Sequence, residues 1–86
     1  MKVSVYDTYV MKKDNGIMHF DILVSTDMKN IETIHEYGRR FMESKGQACQ
    51  LLTARECRFC HVEEATEKMK NAITEKGYYI VEMEGC

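Results

Sequence analysis

Two stretches with a two-residue alternation, Lys2 to Met11 and Ile17 to Ser25, flank the segment Lys12-Lys13-Asp14-Asn15-Gly16, and this arrangement constrains the fold more than any other feature of the chain. In the first stretch Val3, Val5, Tyr9 and Met11 form a mostly apolar face interrupted by Asp7, with Lys2, Ser4 and Thr8 opposite. In the second, Met18, Phe20, Ile22 and Val24 alternate with His19, Asp21 and Ser25. Period two is the period of a strand, and Asn-Gly tolerates the positive φ of a tight connection, so an antiparallel hairpin is expected.

Downstream the period changes. Asp27 is the expected N-cap of a helix running to about Lys45, whose residues Ile31, Ile34, Tyr37, Gly38, Phe41 and Met42 fall on one arc. Gly46 is placed to close it in a left-handed conformation. Ala48 to Ala54 reads as a buried third strand, a second helix is expected from about Glu63 to Lys76 with Gly77 as its stop, and Tyr78 to Glu84 alternates as the last strand. The order ββαβαβ predicts one α+β domain over 1–86, a two-layer sandwich with a four-stranded mixed sheet, right-handed crossovers and both helices on one face. The other face, with Lys2, Ser4, Tyr6, His19, Asp21, Tyr78 and Ile80, would be left partly uncovered, either wet or the contact of a homodimer.

Composition excludes several classes. A net charge of −2, with no basic cluster longer than Lys12-Lys13 or Arg39-Arg40, lacks the electrostatic footprint of a nucleic-acid binder. No apolar run approaches the roughly 18 residues that cross a bilayer, and the alternating N-terminus is unlike an export signal, so a cytoplasmic protein is expected. In that compartment the four cysteines read as thiols or metal ligands rather than as a disulfide framework. Gly-rich phosphate loops, Ser-His-Asp sets and HExxH patterns are absent, which turns the reading away from the common enzymes.

Chemistry concentrates in Glu56-Cys57-Arg58-Phe59-Cys60-His61, expected to join the third strand to the second helix. Cys-x-x-Cys-His matches the attachment signature of c-type haem, but that chemistry belongs to exported proteins and is set aside here. A Cys-x-x-Cys turn brings two thiolates close enough to share Zn²⁺ at about 2.3 Å, so Cys57 and Cys60 would supply half of a tetrahedral site. Candidates for the remainder are Cys86, His61, His19 and, ranked behind them, Cys49, with Asp21 placed to steady the His19 ring. Cys86 is favoured because parallel third and fourth strands would end at the same end of the sheet. Asp7 reads as a carboxylate bonded to backbone or to a Tyr hydroxyl, with a catalytic or binding carboxylate as the alternative, and Cys49 as a core thiol. The expected function is therefore a small binding or structural module that holds zinc. Two alternatives stand beside it: thiol-disulfide exchange, with Cys57 activated by a helix N-terminus and Cys60 as the resolving thiol, and a metal-free protein-interaction domain in which the thiols only pack.

Four short motifs, Met18-His19-Phe20-Asp21, Glu56-Cys57-Arg58-Phe59-Cys60-His61, Gly77-Tyr78-Tyr79-Ile80 and Met83-Glu84-Gly85-Cys86, together resemble the small bacterial proteins grouped as domain of unknown function 2024. Val62 departs from the small polar residue expected after the Cys-His pair. The resemblance implies an α+β fold and a bacterial cytosolic origin and names no reaction, substrate or cofactor.

Overall fold

The computed structural model describes residues 1–86. Strands β1 (Lys2–Met11) and β2 (Ile17–Ser25) form the expected antiparallel hairpin. Asn15 takes the positive φ of the connection, 69°, while its N–H donates to the Lys12 carbonyl and the Asp14 carboxylate accepts from the Gly16 N–H. Helix α1 (Ile31–Ser44), strand β3 (Cys57–Glu64), helix α2 (Glu67–Lys76) and strand β4 (Tyr79–Glu84) complete the predicted order. The hairpin occupies the centre of a sheet ordered β3-β1-β2-β4, and every neighbouring pair is antiparallel. The expected mixed sheet is thus corrected to an antiparallel one. Each later strand adds to a free edge of the hairpin, so β3 and β4 end on opposite edges and are not neighbours.

Register decides the layers. Met11 pairs with Ile17 across a connection of odd length, which matches odd positions of β1 to odd positions of β2. Val10, Phe20, Ile22 and Val24 therefore pack on one side with Ile34, Phe41 and Met42 of α1, while Val3, Val5 and Leu23 pack on the other with Ile73 of α2. The unbroken buried run Ile22-Leu23-Val24 belongs to a strand covered on both faces. The expected two-layer arrangement, both helices on one face, is corrected to one helix on each face. The residues expected to share an open face separate accordingly: Tyr6, Tyr78 and Ile80 pack on the α1 side, and His19 and Asp21 face the other way.

The segment from Ala48 to Ala54 is a loop rather than a strand. Cys49 turns to φ 70°, which breaks an extended run, and only Leu52 is buried, in the α1 core. The third strand begins instead at Cys57, after a turn closed by the Glu56 carboxylate, which accepts from the Thr53 N–H at 2.7 Å and from its hydroxyl at 2.6 Å. Helix α2 starts at Glu67 because the Thr66 hydroxyl accepts from the Met69 N–H. Helix α1 likewise starts at Ile31, where Asn30 rather than Asp27 caps it by accepting from the Glu32 and Thr33 N–H groups. Both expected glycine stops hold, with Gly46 at φ 76° and Gly77 at φ 98°.

His35 is buried on the inner face of α1, with Nε2 unpartnered. Burial holds its imidazole below the ordinary value of 6.5, with Glu32 and Glu56 opposing that shift and Arg39 reinforcing it. The unfolded chain takes up this proton more readily than the folded one, so the contribution is complete above the ordinary value and is lost as pH falls below it. Thermal melts between about pH 7 and 5 should show His35→Leu losing less stability than the wild type on acidification. A difference in Tm that stays constant across that range would contradict this role.

Candidate functional site

Helix α2 covers the end of the odd face around Val3, Val5 and Leu23, and the rest of that face stays open. There β1 and β2 present three cross-strand pairs, Asp7 with Asp21, Tyr9 with His19 and Met11 with Ile17. His19 Nε2 lies 2.6 Å from Asp7 Oδ1, and because the carboxylate accepts, Nε2 carries the proton. The Tyr9 ring stacks on the imidazole with centroids 3.9 Å apart and fixes its plane. Tyr9, Met11, Ile17 and Met83 are exposed apolar side chains at this end of the sheet.

Asp21 is the unusual member. Only 9% of the residue is exposed, and its Oδ1 is buried without a hydrogen-bond partner. Burial first, and then the Asp7 carboxylate beside it, push its carboxyl up to about 6, while His19 and His61 pull the other way. One ligand atom from each of Asp7, His19 and Asp21 lies within 4.8 Å of the others, and this is the one group of three or more such residues in the chain. Nitrogen with two carboxylate oxygens is a donor set for zinc or a related divalent ion, with a coordination position left open. A cation between them would replace the proton held by Nε2 and offset the repulsion between the two carboxylates.

The thiols are distributed differently. Cys57 is 3% exposed on the α1 side, opposite Thr8, and burial pushes its thiol up, with Thr8 opposing. It lies in an edge strand and not at a helix N-terminus, so the expected source of thiolate character is missing. Cys60 is exposed at the point where the β1–β3 register slips, between the pairs Val5 with His61 and Tyr6 with Phe59. Cys86 lies at the far edge, where its thiol donates to the His19 carbonyl at 3.5 Å. Gly85, at φ 72°, folds this tail against Ile17. Between Cys57 and the β4 edge run the pairs Cys57 with Thr8, Thr8 with Phe20 and Phe20 with Glu82, three strand spacings or about 14 Å. The expected grouping of Cys86 with Cys57, Cys60 and His61 is therefore not assembled, because the strands that carry them are on opposite edges. Cys60 and His61 do meet, at 3.2 Å, but of the expected ligands His19 alone joins three residues whose ligand atoms all lie within 4.8 Å of one another. A separate cavity of about 430 Å³ between α1 and the 49–53 loop holds Cys49, exposed and not in the core as expected, with Arg39 and Glu43.

Asp7 and Asp21 were not among the expected ligands. The signal that joins them to His19 is the parity of the hairpin register, which puts all three on one face.

An α+β domain with an antiparallel sheet between two helices and a carboxylate–imidazole group on its open half-face is what the chain presents. Residues 1–83 match the family described as Domain of unknown function (DUF2024), and the chain belongs to that family. A solved structure similar to it is the NMR structure of protein NE1680 from the bacterium Nitrosomonas europaea, at 41% identity and a TM-score of 0.86, covering 100% of this chain and 99% of that one. No curated protein matches. No helix is long and apolar enough to cross a membrane.

Proposed function

We propose that the protein is a small cation-binding module that holds Zn²⁺ through Asp7, His19 and Asp21. The observation that carries this reading is the Asp21 carboxylate: nine-tenths buried, with one oxygen unpartnered and set beside a second carboxylate and an imidazole. Burial and the neighbouring Asp7 carboxylate both disfavour the charged form of Asp21, and a divalent ion between the two carboxylates removes their repulsion. The reading keeps the zinc and the His19 expected from the sequence and replaces the thiolates with carboxylates. Open coordination at the ion would make the exposed half-face a place for a further ligand.

The test is a titration of Zn²⁺ into metal-free protein against a chromophoric chelator. One equivalent should bind to the wild type and to a Cys57→Ser/Cys60→Ser variant, and His19→Ala should lose it. Loss of the equivalent in the thiol variant, or its retention in His19→Ala, would contradict the assignment.

A further inference from the structure

Adjacent residues of a regular strand point to opposite faces, yet Cys60 and His61 touch: His61 Nδ1 is 3.2 Å from Cys60 Sγ. The cause is the register slip at this point of β3. Cys60 has no partner in β1, and a bulge residue and its successor can turn their side chains to the same side. Two positions on, Glu63 shares the face of His61, and its Oε1 lies 3.0 Å from His61 Nε2. The carboxylate only accepts, so Nε2 carries the ring proton and Nδ1 is left bare to accept from the Cys60 thiol. The bulge thus lines up a thiol, an imidazole and a carboxylate in that hydrogen-bonding order, the order of a nucleophile, its base and the group that orients the base.

We propose that Cys60 is a nucleophilic thiol, with His61 as its base and Glu63 as a positioning residue, open to small electrophiles that carry a leaving group. All three side chains are exposed, so a substrate arrives directly from solvent. In the step, Cys60 Sγ forms a bond to the electrophilic carbon. The bond from that carbon to the leaving group breaks, and the electron pair departs with the leaving group. The thiol proton passes to Nδ1, and the imidazolium that forms is held by the Glu63 carboxylate. Asp7, Asp21 and Glu63 lie on the same face and are met there by Arg58, the cross-strand partner of Asp7, so both signs of charge border the thiol. This assignment reverses the roles expected of the Cys-x-x-Cys pair, because Cys57 is buried on the α1 side. It does not depend on the cation site, which uses none of these three residues.

The four cysteines allow a comparison within one chain. Metal-free protein is treated with iodoacetamide near neutral pH, and carbamidomethylation at each cysteine is followed by peptide mass spectrometry. Cys60 should react about tenfold or more faster than the exposed Cys49 and Cys86. His61→Ala should bring it down to their rate, and Glu63→Gln should bring it part of the way. Circular dichroism confirms that each variant is folded, and Glu63→Gln serves if His61→Ala is not. A Cys60 rate no higher than that of Cys49 and Cys86, or one unchanged in the folded variants, would overturn the proposal.

Discussion

Phe20→Ala is expected to remove most of the folding free energy. Phe20 is fully buried at the centre of β2, and its ring lies 4.7 Å from that of Phe41, so it joins the middle of the sheet to α1. Truncating a buried Phe costs about 3–5 kcal/mol, through lost transfer energy and the cavity left behind. A small domain holds about 5–10 kcal/mol in all, and this one forms its larger core from only ten buried residues. The cavity has little chance to collapse, because Ile22, Val24 and Met42 around it belong to elements already held by the ladder and the helix. Urea unfolding should show the midpoint cut by half or more with the slope unchanged. A loss of under about 1 kcal/mol would mean that α1 contributes much less to the core than its packing indicates.

The second large effect combines opposite signs in one substitution. Asp21→Asn keeps the shape of the side chain and removes its charge, so Zn²⁺ affinity should fall by about a hundredfold or more while the metal-free protein becomes more stable. The sign of the second effect follows from the carboxyl's upward displacement, from 3.8 to about 6. The folded state holds this proton more tightly than the unfolded chain, so stability declines as pH rises through that interval, and above it the metal-free wild type bears the whole penalty. The full displacement corresponds to about 3 kcal/mol. The gain expected at neutral pH is about 1 kcal/mol, because solvent reaches the Asp7 side of the pair and screens the repulsion. Below about pH 4 the gain should vanish. Chemical unfolding of metal-free protein at both pH values, with a zinc titration at neutral pH, measures all three quantities. A variant destabilised at neutral pH would show that Asp21 serves the fold and not a ligand.

The element types were legible where the pattern was strong. The hairpin shows in its alternation and in Asn15, and both helix ends show in their glycines. Strand β3 did not show, because an edge strand exposes almost every residue: of its eight, only Cys57 is buried, which leaves no apolar alternation to read. The more apolar run before it competed for the assignment and failed, because it buries a single leucine. Taken strand by strand, the apolar stripes of β1 and β2 look like one face. The register shows that they are two, and the consecutive Ile22-Leu23-Val24 was the sign of it in the sequence. The same parity hid the site. Asp7 stood out as an interruption on one stripe and His19 with Asp21 as the polar side of another, and only the pairing Asp7 with Asp21 brings them together. The proximity expected for Cys86 rested on parallel neighbouring strands, and it fell with the sheet order.

X-ray absorption at the zinc edge of the loaded wild-type protein tests the cation assignment most directly, because it reads the atoms around the ion without any substitution. Ligation by Asp7, His19 and Asp21 requires nearest neighbours at about 2.0–2.1 Å that are all nitrogen or oxygen, with the outer scattering of one imidazole ring. Sulfur neighbours at about 2.3 Å would place the ion on the thiols and contradict the site described here.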